Sequence, residues 1–102
     1  MKRHILAIAC TVAGLIGAGA AYAGPIDSAC MKAGRSANPQ VCGCIQRVAD
    51  QTLDRSDQRR AAGFFRDPDQ AQEVRMSTSQ SDNDFWARYK NFATTAESYC
   101  RN

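Results

Sequence analysis

At 102 residues, with 44% hydrophobic and 23% charged side chains, the chain has room for one compact domain once any targeting segment is set aside. Its formal charge of +3 owes much to Lys2 and Arg3; without them the 13 basic side chains fall to 11 against 10 acidic ones. A balance so near neutrality gives no electrostatic case for nucleic acid or an anionic membrane surface, and nucleic acid is excluded as an expected partner.

The N-terminus reads as a signal peptide over residues 1–23. Met1, Lys2, Arg3 and His4 form a basic start, and Ile5 to Ala21 is an apolar run broken only by Thr11 and glycines. Ala21-Tyr22-Ala23 then offers small residues at the two positions a signal peptidase inspects, which places the cut between Ala23 and Gly24. An uncleaved anchor would be short for a bilayer, and a lipoprotein site at Cys10 would be preceded by too few apolar residues. Residues 24–102 are therefore expected to be one periplasmic or secreted domain with no membrane span. Cleavage also removes His4, the only histidine, and with it triads and histidine–zinc sites.

The exported part keeps Cys30, Cys42, Cys44 and Cys100, an even number in a small domain bound for an oxidising compartment, which reads as a disulfide framework. A Cys42–Cys44 bridge would strain a helix. Two pairings remain: Cys30–Cys42 with Cys44–Cys100, or Cys30–Cys44 with Cys42–Cys100. Residues two apart on a helix point about 200° from each other, so Cys42 and Cys44 face different neighbours and their helix becomes a central post. The loops closed in the first pairing, about 13 and about 57 residues, contribute roughly 3 and 4 kcal/mol in the chain-entropy model, and the second gives nearly the same.

In chain order, Asp27 or Ser28 is expected to cap a first helix ending at Gly34. Asn38-Pro39 opens a second helix to Leu53, with Val41, Cys44, Ile45, Val48, Ala49 and Thr52 on one side and Gln46, Arg47 and Asp50 opposite. Ser56 is expected to cap a helix from Asp57 to Phe65, burying Ala61, Ala62, Phe64 and Phe65. Asp67-Pro68 opens another to Met76, with Ala71, Val74 and Met76 inward. Ser77 to Asn83 reads as a polar loop. The last helix, Asp84 to Cys100, places Phe85, Trp86, Tyr89, Phe92, Ala93, Ala96, Tyr99 and Cys100 at helical spacing, with Arg88, Lys90, Asn91, Thr95 and Glu97 outside. No segment alternates like a strand. The expected class is all-α, a disulfide-stapled bundle of four to five short helices.

Few features point to chemistry. Cys42-Gly43-Cys44 could act as a reactive dithiol, but the usual redox pair is spaced by two residues at a helix start. The four sulfurs, with Met31, could hold zinc or copper(I), but thiolates compete badly with oxidation outside the cytoplasm; no metal site and no cofactor are expected. Arg55, Arg59, Arg60 and Arg66 alternate with Asp50, Asp54, Asp57, Asp67 and Asp69, which reads as a mixed solvated face, and the aromatic cluster reads as core. No nucleophile–base motif is present, so no catalytic residues are assigned and an enzyme is not expected.

The segments Cys42-Gly43-Cys44-Ile45-Gln46, Val48-Ala49-Asp50, Asp57-Gln58-Arg59, Asp67-Pro68, Phe85-Trp86, Arg88-Tyr89 and Cys100 resemble a group of small exported four-cysteine bacterial proteins that often carry the label arginine transporter. The resemblance covers roughly Ser28 to Cys100. It implies the cysteine framework and, from the label, binding of arginine as an accessory to transport. After cleavage no second apolar segment remains to form a membrane pathway. The function that fits best is a non-enzymatic interaction or accessory module with a periplasmic protein partner, as a monomer or weak oligomer. The alternatives are a thiol-disulfide or metal-handling protein using Cys42 and Cys44, and a small-molecule binder with acidic groups converging beside the aromatics.

Overall fold

The computed structural model of the protein describes residues 24–34 and 38–101. Residues 1–23, where a signal peptide is expected, Arg35 to Ala37 and Asn102 lie outside the described residues. The rest is five helices: α1 (Pro25–Ala33), α2 (Pro39–Thr52), α3 (Arg55–Arg66), α4 (Pro68–Arg75) and α5 (Gln80–Tyr99), with no strand among the described residues.

Helix starts follow cap chemistry, with local corrections. Asn38 caps α2 as expected, its Oδ1 accepting from the Gln40 and Val41 amides at 2.8 and 3.2 Å, and Pro39 takes the first helical position. The α3 cap is Asp54, not Ser56: its Oδ1 accepts from Asp57 N at 2.8 Å, so the helix begins two residues before Asp57. Asp67 caps α4 through Asp69 N. The polar run after Met76 is mostly helix rather than loop, because Ser79 Oγ accepts from Asp82 N at 3.2 Å and starts α5 at Gln80.

The first helix departs most from expectation. It starts at Pro25, and neither Asp27 nor Ser28 caps it; Gly24 stands at its N-cap with no side chain to offer. The missing acceptor comes from α2, where Gln46 Oε1 receives the Ile26 and Asp27 amides, each at 2.9 Å.

α2 is the post expected from its two cysteines. Cys42 is bonded to Cys30 of α1, and Cys44 to Cys100 just past the end of α5, with Cα atoms 5.7 Å apart in both bridges. α1 packs on α2 and α3, α5 packs on α2, and α4 links α3 to α5. Alanines 29, 49, 61 and 62 are buried, and such small side chains let α1, α2 and α3 approach closely. Ile26, Val48, Leu53, Phe64, Val74, Phe85 and Phe92 fill the remaining core.

Two expected core residues lie elsewhere. Met76 and Tyr99 are exposed, at 74% and 75%, whereas Phe65 is half-buried and packs against the core. Met76 follows the last residue of α4, and Tyr99 is the last residue of α5, so neither has a facing helix beyond it. Gln46 is wrong in the opposite sense: assigned to the outer face of α2, it is 4% exposed.

Candidate functional site

The most elaborate polar arrangement surrounds the start of α1. Gln46 lies one helical turn after Cys42, and both face α1, one through a disulfide and the other through its carboxamide oxygen. The Gln46 Nε2 donates to Gln58 Oε1 at 2.8 Å and to Asp50 Oδ1 at 2.9 Å. Gln58, on α3 and also buried, donates to Asp50 Oδ1 at 3.2 Å and to the Leu53 carbonyl at 3.1 Å. The chain thereby joins the first turn of α1, the last turns of α2 and the first turn of α3. No buried side-chain nitrogen or oxygen among the described residues lacks a partner.

Beside this network lies an open groove of about 440 Å³, bordered by Gly24, Pro25, Gln46, Asp50, Asp54, Arg55 and Gln58. Gly24 is required by close approach rather than by its dihedral angles: a Cβ there would overlap the Gln46 carboxamide. Both glutamines and Asp50 Oδ1 are committed to one another and to backbone groups, and the exposed charges bordering the groove are those of Asp50, Asp54 and Arg55.

The four cysteines make two separate staples. The bridges join Cys30 to Cys42 and Cys44 to Cys100, so Cys42 and Cys44 are not partners in one redox pair. Cys42 is 1% exposed, whereas Cys44 and Cys100 are both half-buried and border shallow depressions flanked by exposed Tyr99. No group of three histidine, cysteine, aspartate or glutamate residues gathers as a metal site among the described residues.

Phe64 on α3 and Phe85, Trp86, Tyr89 and Phe92 on α5 form one connected aromatic cluster. Phe64 meets Phe85 and Tyr89 edge-on, with centroids 5.9 and 5.0 Å apart, and Trp86 stacks on Tyr89 at 5.2 Å. Phe85 and Phe92 are buried, while Trp86 and Tyr89 are half-buried. Burial pushes the Tyr89 phenol above its ordinary range.

The acids that reach this helix are already paired. Asp57, buried in the first turn of α3, accepts from Arg88 Nε at 2.6 Å and from its terminal nitrogen at 3.2 Å. That hydrogen-bonded carboxylate holds the Arg88 guanidinium above its usual pKa. Asp82 accepts from Arg60 at 2.6 Å, and that contact, helped by Ser77, holds its carboxyl below the ordinary aspartate value. Arg60 also lies over the Phe85 ring, 4.5 Å from its centroid. Asp84 accepts from Gln80 at 2.8 Å. The convergence of free carboxylates beside aromatics that an arginine site requires is not formed by Asp57, Asp82 or Asp84.

Of the sequence candidates, the structure pairs the cysteines in one of the two ways left open and brings Phe64 to the aromatic stack. The buried roles of Gln46 and Gln58 were missed. For Gln46 the signal was the spacing from Cys42: once that residue faces α1, a residue four further on must face it too; Gln58 lies on a different helix, and no such local spacing marks it.

No helix among the described residues is long and apolar enough to cross a membrane. Compared with known proteins, the chain matches no family model, and neither a curated protein nor a solved structure is significantly similar to it.

Proposed function

We propose that residues 24–102 are an exported, periplasmic or secreted, non-enzymatic accessory module that works by contact with another protein. The observation that carries this reading is the end of the bundle where Cys44–Cys100 ties α5 to α2: Tyr99 is 75% exposed there, with Arg47 on the neighbouring turn of α2. A crosslinked backbone need not be ordered on contact, which leaves only side-chain ordering as a cost, and tyrosine and arginine dominate the energetics of protein interfaces. The bridges themselves favour an oxidising compartment.

Two measurements test this. Intact mass of the protein from cell fractions should give a chain beginning at Gly24, with no free thiol. A photo-crosslinking residue placed at position 99 should yield one reproducible adduct in the exporting cell, and the same residue at exposed Met76 should not. Equal, diffuse labelling from both positions would count against an interaction face at the α5 end.

A second reading is favoured by the exposure difference between the bridges. Cys44–Cys100 joins two half-buried residues, whereas Cys30–Cys42 joins a half-buried residue to a buried one, so the first is the more open to a partner thiolate, which supports thiol–disulfide exchange as the rival function. Its test is turnover: catalytic reduction or oxidation of a model disulfide substrate by the purified protein would replace the accessory reading.

A further inference from the structure

We infer that the groove between α1 and α3 binds an acidic segment of another protein, one that sets carboxylates against Lys32, Arg59 and Arg66. The groove, about 320 Å³, is bordered by Ser28, Ala29 and Lys32 of α1 and by Arg59, Ala62 and Arg66 of α3. Ala29 and Ala62, at 2% and 3% exposure, form its base; the three cations are exposed around it, and no carboxylate among the described residues borders it. Along the chain these arginines are interleaved with aspartates, but the helix separates them. Arg59 and Arg66, seven residues apart, share one face of α3, whereas Asp57, about 200° round from Arg59, faces α5 and holds Arg88. The other nearby acids are engaged as well: Asp54 caps α3, Asp67 caps α4, and Asp82 holds Arg60. Among the described residues, none of the three cations of the groove is in an ion pair.

The spread of charge and the apolar base identify the occupant. Arg59 and Arg66 lie about 10 Å apart along the helix axis, with Lys32 across the groove; one phosphate is too small to span them, but acidic residues two turns apart on a helix or three apart on a strand match that distance. A flat anionic bilayer would meet the cations and leave the alanine base beneath them uncovered, whereas the apolar side of a peptide can enter and bury it. In a domain so near neutrality, a local patch of one sign selects a partner of opposite charge without making the whole surface adhesive. The groove is a second contact, independent of the one proposed at Tyr99: α1 is tied to α2 through Cys42, and the Tyr99 end through Cys44, which points the other way.

The test titrates 15N-labelled protein, both bridges closed, with a capped helical peptide of Glu, Leu and Ala carrying glutamates seven residues apart, and with its Gln-for-Glu counterpart. The acidic peptide should shift the amides of residues 28–32 and 59–66, the neutral one should not, and raising salt from about 0.05 to about 0.3 M should weaken binding severalfold. Arg59→Glu with Arg66→Glu should cost at least roughly tenfold in affinity. The milder pair Arg59→Gln with Arg66→Gln, expected between that variant and the native protein, covers the case in which charge reversal disturbs the fold. Arg75→Glu with Lys90→Glu, the same charge change at exposed positions elsewhere, should stay within about threefold of native, and Tyr99→Ala should leave the titration unchanged. Absence of shifts at the groove, equal binding of both peptides, or equal losses from the two reversed pairs would overturn the inference. Tighter binding of phosphatidylglycerol vesicles or of inorganic phosphate than of the acidic peptide would reassign the groove to a membrane surface or a small anion, and overturn it too. Failure of the crosslink at position 99 would bear on the α5 end alone.

Discussion

Replacing Gln46 by alanine should destabilise the oxidised domain by about 3–5 kcal/mol, an unusually large effect for a residue whose sequence neighbours suggest a solvated face. The carboxamide makes four hydrogen bonds, two accepted from Ile26 and Asp27 and two donated to Asp50 and Gln58. At about 1 kcal/mol net for each, the bonds alone account for most of the range, and stranding a buried amide or the Gln58 oxygen adds about 1–3 kcal/mol, partly relieved by water entering the space left behind. With an m-value of about 1 kcal/mol/M in urea, expected for a chain this small, the unfolding midpoint should fall by about 3 M or more, read by circular dichroism on oxidised protein. Gln46→Glu sharpens the test. It keeps both acceptor bonds but replaces Nε2, the one nitrogen that donates both other bonds, by an oxygen facing Asp50 and Gln58. Burial and the Asp50 charge would raise the introduced carboxyl's pKa above the unfolded value, so its contribution is present at low pH and lost as pH rises through the folded pKa. A midpoint drop below about 1 M for Gln46→Ala at unchanged m, or a Gln46→Glu variant that gains stability as pH rises through that window, would refute the role assigned to this side chain.

The two bridges should differ in both reactivity and worth. Limiting reductant should open Cys44–Cys100 first, seen as alkylation of those two sulfurs by peptide mapping, and serine at both positions should cost about 4 kcal/mol against about 3 kcal/mol for the shorter Cys30–Cys42 loop. Phe85→Ala, which removes a 1% exposed ring from between Phe64 and Tyr89, should cost about 3–5 kcal/mol in the same urea titration. Asp82, with its folded pKa lowered by Arg60, stabilises the fold above its unfolded pKa and ceases to do so as pH falls through the folded one. The stability gap between the native protein and Asp82→Asn should therefore be constant near neutrality and close in acid below about pH 4, as measured by thermal unfolding across pH.

What was legible in the sequence follows from local rules. Asn38-Pro39 and Asp67-Pro68 are capping signals whose partners lie within three residues, so the second and fourth helices could be placed without tertiary knowledge. The opposed directions of Cys42 and Cys44 come from helical geometry alone. What escaped was set at longer range. Asp57 reads as a surface acid at a helix start, and it is buried because Arg88, far along the chain, supplies the opposing charge. The start of α1 depends on an acceptor in α2, and no window around Asp27 contains Gln46. Tyr99 and Met76 keep the helical period but lie where no neighbouring helix covers them, a fact about helix ends that periodicity does not encode.

The borrowed cap has a consequence for cooperativity. A short helix that begins Gly-Pro cannot satisfy its own first amides with a side chain, so α1 is helical only when α2 is folded and positioned. Gln46 in turn is held by Gln58, whose other amide hydrogens reach Asp50 and the Leu53 carbonyl at the α2–α3 junction. A leucine at position 46 would bury apolar surface yet leave the Ile26 and Asp27 amides and the Gln58 oxygen without partners, which is why a buried polar residue is the better solution here. The same dependence leaves the first turn of α1 held by Gln46 and the Cys30–Cys42 bridge together, so that without the bridge it can open before the rest of the domain unfolds. Hydrogen exchange should therefore show the Ile26 and Asp27 amides protected nearly as strongly as the α2 core in oxidised protein, and losing protection ahead of it when only that bridge is removed. Fast exchange of both amides in the intact, oxidised domain would mean that Gln46 does not hold α1, and the coupling argued for this corner of the fold would fail.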